Sequence, residues 1–411
     1  MSSKRSSIVP IAVAFVAVWV GGRTCVGQEA FIDWANTSQQ ESSWFITDNW
    51  DLQRLPTSDD AAFIGGPAYG IGIAKIDSGS AVAFGVHLGD SYSDNKLTLN
   101  GGTLTISGTE GPFLGLRIGH GQGEGEGLRN LFIQNGGTLT TVLTHIGDES
   151  VTLDETMGGS GTYEMNAGSA TLGEVMVGEQ GIGEFFHEGG SVTADELYLA
   201  AFCPGEGYDT DPDYYFPSQG TYTLGQASIE DDPPTLSTET EWIALASWSR
   251  LGAIYGTPHG AYVGAEGIFI HTGGTNTISG DLYLGYYWGG DGSYELTGSF
   301  PTAAPTLTAA NEYVGYGEVP DGYWEDYGLT YASGTFLHTC GSNTVGSGDP
   351  WVGTLWIGYL EDSRGWYIIR GGELQTGNLI VANDGFGALE MREKVQGDPE
   401  VPTEVTIYST L

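Results

Sequence analysis

Three histidines occupy the same place in a recurring sequence pattern, and such a set could bind a metal ion or transfer protons. His187, His271 and His338 each follow an aromatic residue by two positions, in the segments FFH, FIH and FLH. Imidazoles that converge on one point suit both kinds of chemistry. Other copies of the pattern separate the three histidines, however, so we favour a structural role in which each is hydrogen-bonded inside a stack of strands.

A second set consists of the acidic pair Asp59 and Asp60 and the segment Gly119-His120-Gly121. These residues resemble the acidic pair and GHG segment of polygalacturonase-like hydrolases. Two carboxyl groups held at a suitable separation can cleave a glycosidic bond. The resemblance ends there, because His120 follows a strand pattern inside a glycine-rich turn and no basic substrate-binding segment comes later. The sequence therefore assigns no catalytic residue.

Three aspartates alternate in one segment, at Asp209, Asp211 and Asp213. This spacing allows carboxylates to converge on a calcium ion. The segment does not match an EF-hand, because Pro212 and Tyr214 stand in its middle and no glycine occupies the sixth position. A solvated acidic loop is the interpretation we favour, and calcium is the alternative.

Aromatic residues cluster in segments that interrupt the repeat, which we place at 201–219, 225–260 and 315–333. Aromatic rings beside carboxylates suit sugar binding, because sugar C–H surfaces stack on rings while sugar hydroxyls bond to Asp or Glu. The same rings could instead pack the loops onto the body of the protein. The candidate glycan-binding residues are Tyr214, Tyr215, Tyr286, Tyr287, Trp288, Tyr323 and Trp324.

The elements that would position these residues follow a two-residue alternation of apolar side chains. Residues two apart on a strand point to the same face, so each pair predicts a half-buried strand. The first apolar column is Leu97, Phe132, Tyr163, Phe185, Tyr222, Phe269, Tyr294, Phe336, Tyr367 and Leu389. The second column is Leu99, Gln134, Met165, His187, Leu224, His271, Leu296, His338, Ile369 and Met391.

The period of the pattern predicts the architecture. Tyr163 to Phe185 and Tyr367 to Leu389 each span 22 residues, and a further apolar pair before a glycine or alanine follows most copies, as with Val175 and Val177. Two or three short strands per period match one coil of a single-stranded parallel β-helix, an all-β solenoid. The pattern fits a leucine-rich repeat or a β-propeller less well, because the asparagine ladder and the long antiparallel blades are missing. The glycine content, 67 residues of 411, favours tight turns.

Two segments carry a family resemblance: GEFFHEGGSVTADELYLA from Gly183 and GIFIHTGGTNTISGDLYLG from Gly267. They resemble repeats of secreted bacterial parallel β-helix proteins of the autotransporter-adhesin and pectin-lyase-like group. The resemblance covers residues 94–395 and implies the scaffold, since the group contains both adhesive domains and polysaccharide lyases or hydrolases. Residues 28–93, rich in tryptophan, resemble the opening segment of such proteins, so we expect a cap and the first coils there. Residues 396–411 form a terminal strand or tail.

The first residues indicate export. Lys4 and Arg5 precede an apolar run, and small residues follow around Gly27, which predicts a signal peptide over 1–27 and a secreted or cell-surface location. The run is too short to span a bilayer comfortably, so we expect no membrane insertion after cleavage. Removing three basic residues with this peptide leaves ten basic against 52 acidic residues. Such a charge disfavours nucleic acid as a partner and allows polyanions only through bound cations.

Two cysteines remain after cleavage, Cys203 and Cys340, and several coils would separate them. We therefore expect two free thiols. Together these observations favour an extracellular structural or adhesive protein with glycan contact through its loops. A pectin-lyase-like carbohydrate-active enzyme is the alternative, and it would require two or three carboxylates and one arginine, such as Arg117, to converge in a groove. The oligomeric state is left open.

Overall fold

A computed structural model describes residues 30–36, 38–65, 70–89, 94–109, 114–119, 130–147, 159–179, 181–201, 218–226, 232–245, 265–286, 289–298, 304–317, 331–346, 349, 352–391 and 403–407. Within them lie a 3-10 helix, Thr47–Asn49, and thirty strands. The strands are β1 Ala30–Asp33, β2 Ser42–Ser43, β3 Asp60–Ile64, β4 Ile73–Ile76, β5 Ser80–Ala83, β6 Gly85–Leu88, β7 Lys96–Leu99, β8 Thr103–Ile106, β9 Gly115–Ile118, β10 Asn130–Gln134, β11 Thr138–Ile146, β12 Ser160–Met165, β13 Ser169–Val177, β14 Ile182–His187, β15 Ser191–Leu199, β16 Ser218–Leu224, β17 Thr235–Thr238, β18 Thr240–Ile243, β19 Ala265–His271, β20 Thr275–Leu284, β21 Gly290–Leu296, β22 Thr306–Val314, β23 Ala332–His338, β24 Ser342–Val345, β25 Thr354–Ile357, β26 Ser363–Ile369, β27 Gly372–Thr376, β28 Asn378–Val381, β29 Phe386–Met391 and β30 Thr403–Ile407.

The strands stack as a parallel β-helix with three faces. Twelve strands form one sheet, which we call sheet 1: β2, β4, β7, β10, β12, β14, β16, β19, β21, β23, β26 and β29. The other eighteen form a second hydrogen-bonded sheet with two faces. Sheet 2 contains β5, β8, β17, β24, β27, β30 and the first halves of β11, β13, β15, β20 and β22, and sheet 3 contains β1, β3, β6, β9, β18, β25, β28 and the second halves of those five strands.

The two predicted apolar columns line the inside of sheet 1, as the alternation requires. Phe132, Tyr163, Phe185 and Tyr222 pair in direct register on successive coils and are at most 1% exposed. Their rings lie 4.3–4.9 Å apart between centroids, so each coil buries an aromatic side chain against the next. The prediction is wrong for Met391, which is 58% exposed because no described strand of sheet 1 follows β29.

A residue with left-handed backbone stands where sheet 3 turns towards the next strand of sheet 1, and at Gly178 it must be glycine. Gly178 has φ +77°, and a Cβ there would lie 2.0 Å from the carbonyl oxygen of Gln219. At this position only glycine avoids both the strain of the left-handed backbone and the clash with this oxygen. The turn therefore requires a small residue in the left-handed region, and on other coils Ala200, Ala244 and Ala382 fill the same position with φ between +55° and +62°.

The first described residues cap the tube with tryptophan. Trp34, Trp44 and Trp50 are each 1% exposed and meet edge to face, with centroids 4.8–5.0 Å apart. Trp50 Nε1 donates a hydrogen bond to the Trp44 carbonyl at 2.9 Å. The strands from β1 onward share one continuous core with the later coils.

One predicted insertion is wrong in part. We expected residues 225–260 to leave the stack, but β17 and β18 lie inside this range and pair with β15 and β20. The pattern was hidden because an inward position of β18 holds Glu241, a charged residue type that strand patterns do not place in a core.

Candidate functional site

Most of the residues singled out for calcium or glycan binding lie outside the described residues. These are Asp209, Asp211, Asp213, Tyr214, Tyr215, Tyr287, Trp288, Tyr323 and Trp324. Cys203, His120 and residues 1–27 also lie outside, and so does most of 396–411. Cys340 is a free thiol, as expected for this cysteine.

The three histidines are buried inside the tube and do not form one site. In each, Nε2 donates to a glycine carbonyl three residues ahead, and Nδ1 accepts from a tyrosine hydroxyl on the following coil: for His271, Gly274 at 3.2 Å and Tyr294 at 3.0 Å. The equivalent partners are Gly190 and Tyr222 for His187, and Gly341 and Tyr367 for His338.

The polar partners of each imidazole therefore support the structural interpretation of the three histidines. Burial lowers the pKa of His271 to about 3 and the pKa values of His187 and His338 to about 4, so the rings are neutral.

The hydrogen bonds of Asp60 also indicate a structural role. Its carboxylate accepts two hydrogen bonds from the Arg54 guanidinium, at 2.5 and 2.6 Å, and two from Thr57. The hydrogen bonds from Arg54 contribute most to lowering the pKa of Asp60 to about 2. A carboxylate bound in this way fixes the turn before β3, and Asp59 is not among its partners.

The outside of sheet 3 brings together aromatic, histidine and arginine side chains that could take part in binding or catalysis. One outward residue per coil forms a row in direct register, which we call the outer strip. Its members are Phe63, His87, Arg117, His145, Met176, Tyr198, Trp242, Tyr283, Tyr313 and Trp356. Residues 200–217, 244–264 and 315–331 stand in the chain between a described strand of sheet 3 and the next described strand of sheet 1.

The middle of the outer strip carries a histidine and three carboxylates. His145 Nδ1 lies 2.5 Å from Glu179 Oε2, and both side chains are largely buried. Glu174 and Glu196 are register neighbours on successive coils. Burial raises the pKa of Glu174, and the negative charge of Glu196 raises it further. The arrangement holds carboxyl groups in different environments, which is a typical condition for acid–base chemistry.

The later coils of the outer strip form an aromatic ladder. Trp242, Tyr283 and Tyr313 stack with centroids 4.4 and 4.8 Å apart and planes within 11° of parallel. A second row, Tyr286, Tyr316 and Tyr359, stacks beside them. The ring planes of one row are inclined at 73–89° to those of the other, so the contacts between the rows are edge to face.

Carboxylates border the aromatic ladder. The Tyr283 hydroxyl donates to Asp281 Oδ2 at 3.0 Å, and Asn311 Nδ2 donates to Asp281 Oδ1 at 2.8 Å. The Tyr198 hydroxyl donates in the same way to the carboxylate of Glu196.

Tyr286 is the candidate glycan-binding residue that the structure describes. It is 8% exposed, and one face of its ring lies on Tyr316 while the edges of Trp242 and Tyr283 contact it. Sequence reasoning selected Tyr286 from a local cluster and missed the ladder, because successive members of each row are 30–43 residues apart. The sequence does mark the ladder in one way: an aromatic residue stands between the two apolar residues of the second strand signature, as in Leu197-Tyr198-Leu199 and Leu282-Tyr283-Leu284.

The interior holds a second polar arrangement that the sequence did not indicate. Glu241 and Glu312 are fully buried among apolar side chains, and each accepts a hydrogen bond from an asparagine on the next coil. Burial raises the pKa of both carboxyls to about 8. They lie in the core without access to a substrate, so we assign them no binding role.

No protein-family model matches the chain, and neither a curated protein nor a solved structure is significantly similar to it. Among the described residues, no group of three or more His, Cys, Asp or Glu side chains has the geometry of a metal site. Within the same residues no helix is long and apolar enough to cross a membrane.

Proposed function

We propose that the protein is exported and acts outside the cell or on its surface as a structural or adhesive β-helix that contacts glycans along the outer strip. The observation that carries this proposal is the row of half-buried rings at Trp242, Tyr283, Tyr313 and Trp356, with Asp281 and Glu196 beside it. Ring edges and carboxylates facing the same side suit the apolar and hydroxyl surfaces of sugars.

The architecture supports an elongated ligand. The strip runs along the stack with one residue per coil, and coils repeat about every 4.8 Å. A polymer aligned with the tube would therefore meet one aromatic side chain on each of the four successive coils that carry Trp242, Tyr283, Tyr313 and Trp356. The protein as a whole is acidic, since the chain carries 52 acidic and 13 basic residues, so a neutral glycan is favoured over a polyanion.

The test is retention of the full-length protein on a panel of insoluble neutral and acidic polysaccharides. We expect Trp242→Ala to reduce retention at least tenfold. Trp366→Ala is the matched control, because Trp366 is a half-buried outward tryptophan on sheet 1, away from the outer strip. Equal retention of the two variants, or no retention of the unmodified protein, would contradict the proposal.

A second candidate function, a carbohydrate-active enzyme, is favoured by the environment of Glu174. The carboxyl of Glu174 has a raised pKa and would serve as the proton donor of a glycosidase. Glu196, its neighbour on the following coil, would serve as the second carboxylate. Release of reducing ends or unsaturated products from the same panel tests it. Glu174→Gln should abolish turnover while leaving retention intact, and the absence of turnover in the unmodified protein removes this candidate.

A further inference from the structure

The outside of sheet 2 presents a surface made entirely of hydroxyl side chains over eight successive strands. Each strand contributes two outward residues in a pattern of Thr or Ser, an inward residue, and again Thr or Ser. We call these sixteen positions the hydroxyl face. They are Thr103, Thr105, Thr138, Thr140, Ser169, Thr171, Ser191, Thr193, Thr235, Ser237, Thr275, Thr277, Thr306, Thr308, Ser342 and Thr344.

The hydroxyl face is an ordered lattice. Every pair of neighbouring strands is in one-to-one register across these positions, so the side chains form two continuous rows. Neighbouring coils are about 4.8 Å apart, and the two rows are about 7 Å apart, the length of two residues in a strand. All sixteen residues are half-exposed or exposed. The Thr138 and Ser169 hydroxyls lie 3.2 Å apart, which shows that adjacent members reach hydrogen-bonding distance.

Strand propensity alone does not explain this composition. Threonine is common in strands, but the outward positions of sheet 1 in the same chain hold varied residues: Glu184 and Phe186 on β14, Ile268 and Ile270 on β19, Trp366 and Ile368 on β26. The hydroxyl face also lacks charge, although the protein has 52 acidic residues. Sheet 1 therefore serves as an internal control, and it shows that sheet 2 is specialised.

From this geometry we propose that the hydroxyl face binds ice. An ice surface is an uncharged, regularly repeating array of water oxygens, and hydroxyl groups both donate and accept hydrogen bonds with such an array. Threonine has few accessible side-chain rotamers because it is β-branched, so its hydroxyl and methyl groups hold fixed positions. A charged side chain would order water around itself in a pattern that ice does not share. The lattice ends at β27, where Glu373 and Gln375 replace the hydroxyl residues.

The proposal is tested by slow growth of ice in a dilute solution of the full-length protein. We expect the unmodified protein to be enriched several-fold in the ice relative to serum albumin, which does not bind ice, and to inhibit ice recrystallisation. The double variant T171Y/T193Y, in the centre of the hydroxyl face, should reduce enrichment to the albumin level.

The matched control is T221Y/T223Y, which introduces the same side chains at outward positions of β16 on sheet 1. It should retain the enrichment of the unmodified protein, and circular dichroism should show equal folding of both variants. The proposal is overturned if the unmodified protein is not enriched, if the hydroxyl-face variant remains enriched, or if both variants lose enrichment equally.

Discussion

Asn276 donates a hydrogen bond from Nδ2 to Oε2 of Glu241, at 3.2 Å, in the core of the tube. The same amide nitrogen lies 3.3 Å from the Tyr294 hydroxyl oxygen. Two coils further on, Asn343 repeats the relationship with Glu312 at 3.1 Å. Because burial raises the pKa of both carboxyls to about 8, each is protonated in a neutral solution.

These carboxyls make the fold sensitive to alkaline pH. The folded pKa lies above the unfolded value of about 4.5, so the stability that these two carboxyls contribute is fully present below pH 4.5 and is lost progressively as the pH rises towards 8. We expect the melting temperature to be lower at pH 8 than at pH 5. In the double variant E241Q/E312Q the free energy of unfolding should fall less between these two pH values, by an amount on the order of a few kcal/mol. An unchanged difference would show that the carboxyls are ionised in the folded protein.

The buried histidines make the fold sensitive to acidic pH instead. Burial lowers the pKa of His271 to about 3, below its unfolded value of 6.5, so its contribution is present above pH 6.5 and is lost as the pH falls towards 3. His271→Gln should remove the share of the acid sensitivity that His271 contributes and keep the hydrogen bonds, because Gln134 has the equivalent position and bonds to Gly137 and Tyr163 in the same way.

His271→Leu provides the contrast with His271→Gln. It leaves the Tyr294 hydroxyl and the Gly274 carbonyl without this partner and should cost about 1–3 kcal/mol. Thermal melts at pH 4 and pH 7 distinguish the two variants, and equal behaviour of Gln and Leu would exclude the hydrogen-bonding role.

The tryptophan cap should determine the stability of the first coils. Trp50→Ala removes a buried ring that contacts Trp34 and Trp44, and we expect a loss of about 3–5 kcal/mol. Because stability in a solenoid is a sum over neighbouring repeats, the loss should be confined to the first coils. Hydrogen exchange measured by mass spectrometry should show faster exchange in β1 to β4 and unchanged exchange in β19 to β23. Uniform acceleration along the chain would contradict this expectation.

The aromatic ladder should stabilise the outside of sheet 3 through ring contacts more than through its hydrogen bonds. Tyr283→Ala removes stacking on Trp242 and Tyr313 and should cost about 2–3 kcal/mol. Tyr283→Phe removes only the hydrogen bond to Asp281 and should cost less than about 1 kcal/mol. Thermal unfolding of the two variants measures the difference, and an equal loss would assign the stabilisation to the hydroxyl group.

The architecture could be predicted from sequence because its signal is periodic. Tyr163, Phe185 and Phe269 occupy one inward column, and the alternation of side chains along a strand fixes that column once the period is known. The structural role of His187, His271 and His338 could be predicted for the same reason, since their register placed them inside.

The surface features could not be predicted with the same reasoning. The outer strip depends on the register between residues such as Tyr198 and Trp242, which are 44 positions apart and separated by an insertion of irregular length. Glu241 and Glu312 were invisible because a buried carboxyl becomes neutral only in its folded environment. The glycan and calcium candidates were chosen by local composition, and all except Tyr286 lie outside the described residues.

The parallel stack also has a mechanical consequence. Its backbone hydrogen bonds run along the tube axis, so tension applied along the axis loads the contacts between coils in series. Under such a load the coil with the fewest buried contacts separates first. Leu389 and Val405 in the final described coil are only partly buried, whereas the Trp50 end is fully covered. Pulling the molecule from both ends should therefore peel it from β29 and β30, one coil at a time, while the tryptophan end stays closed.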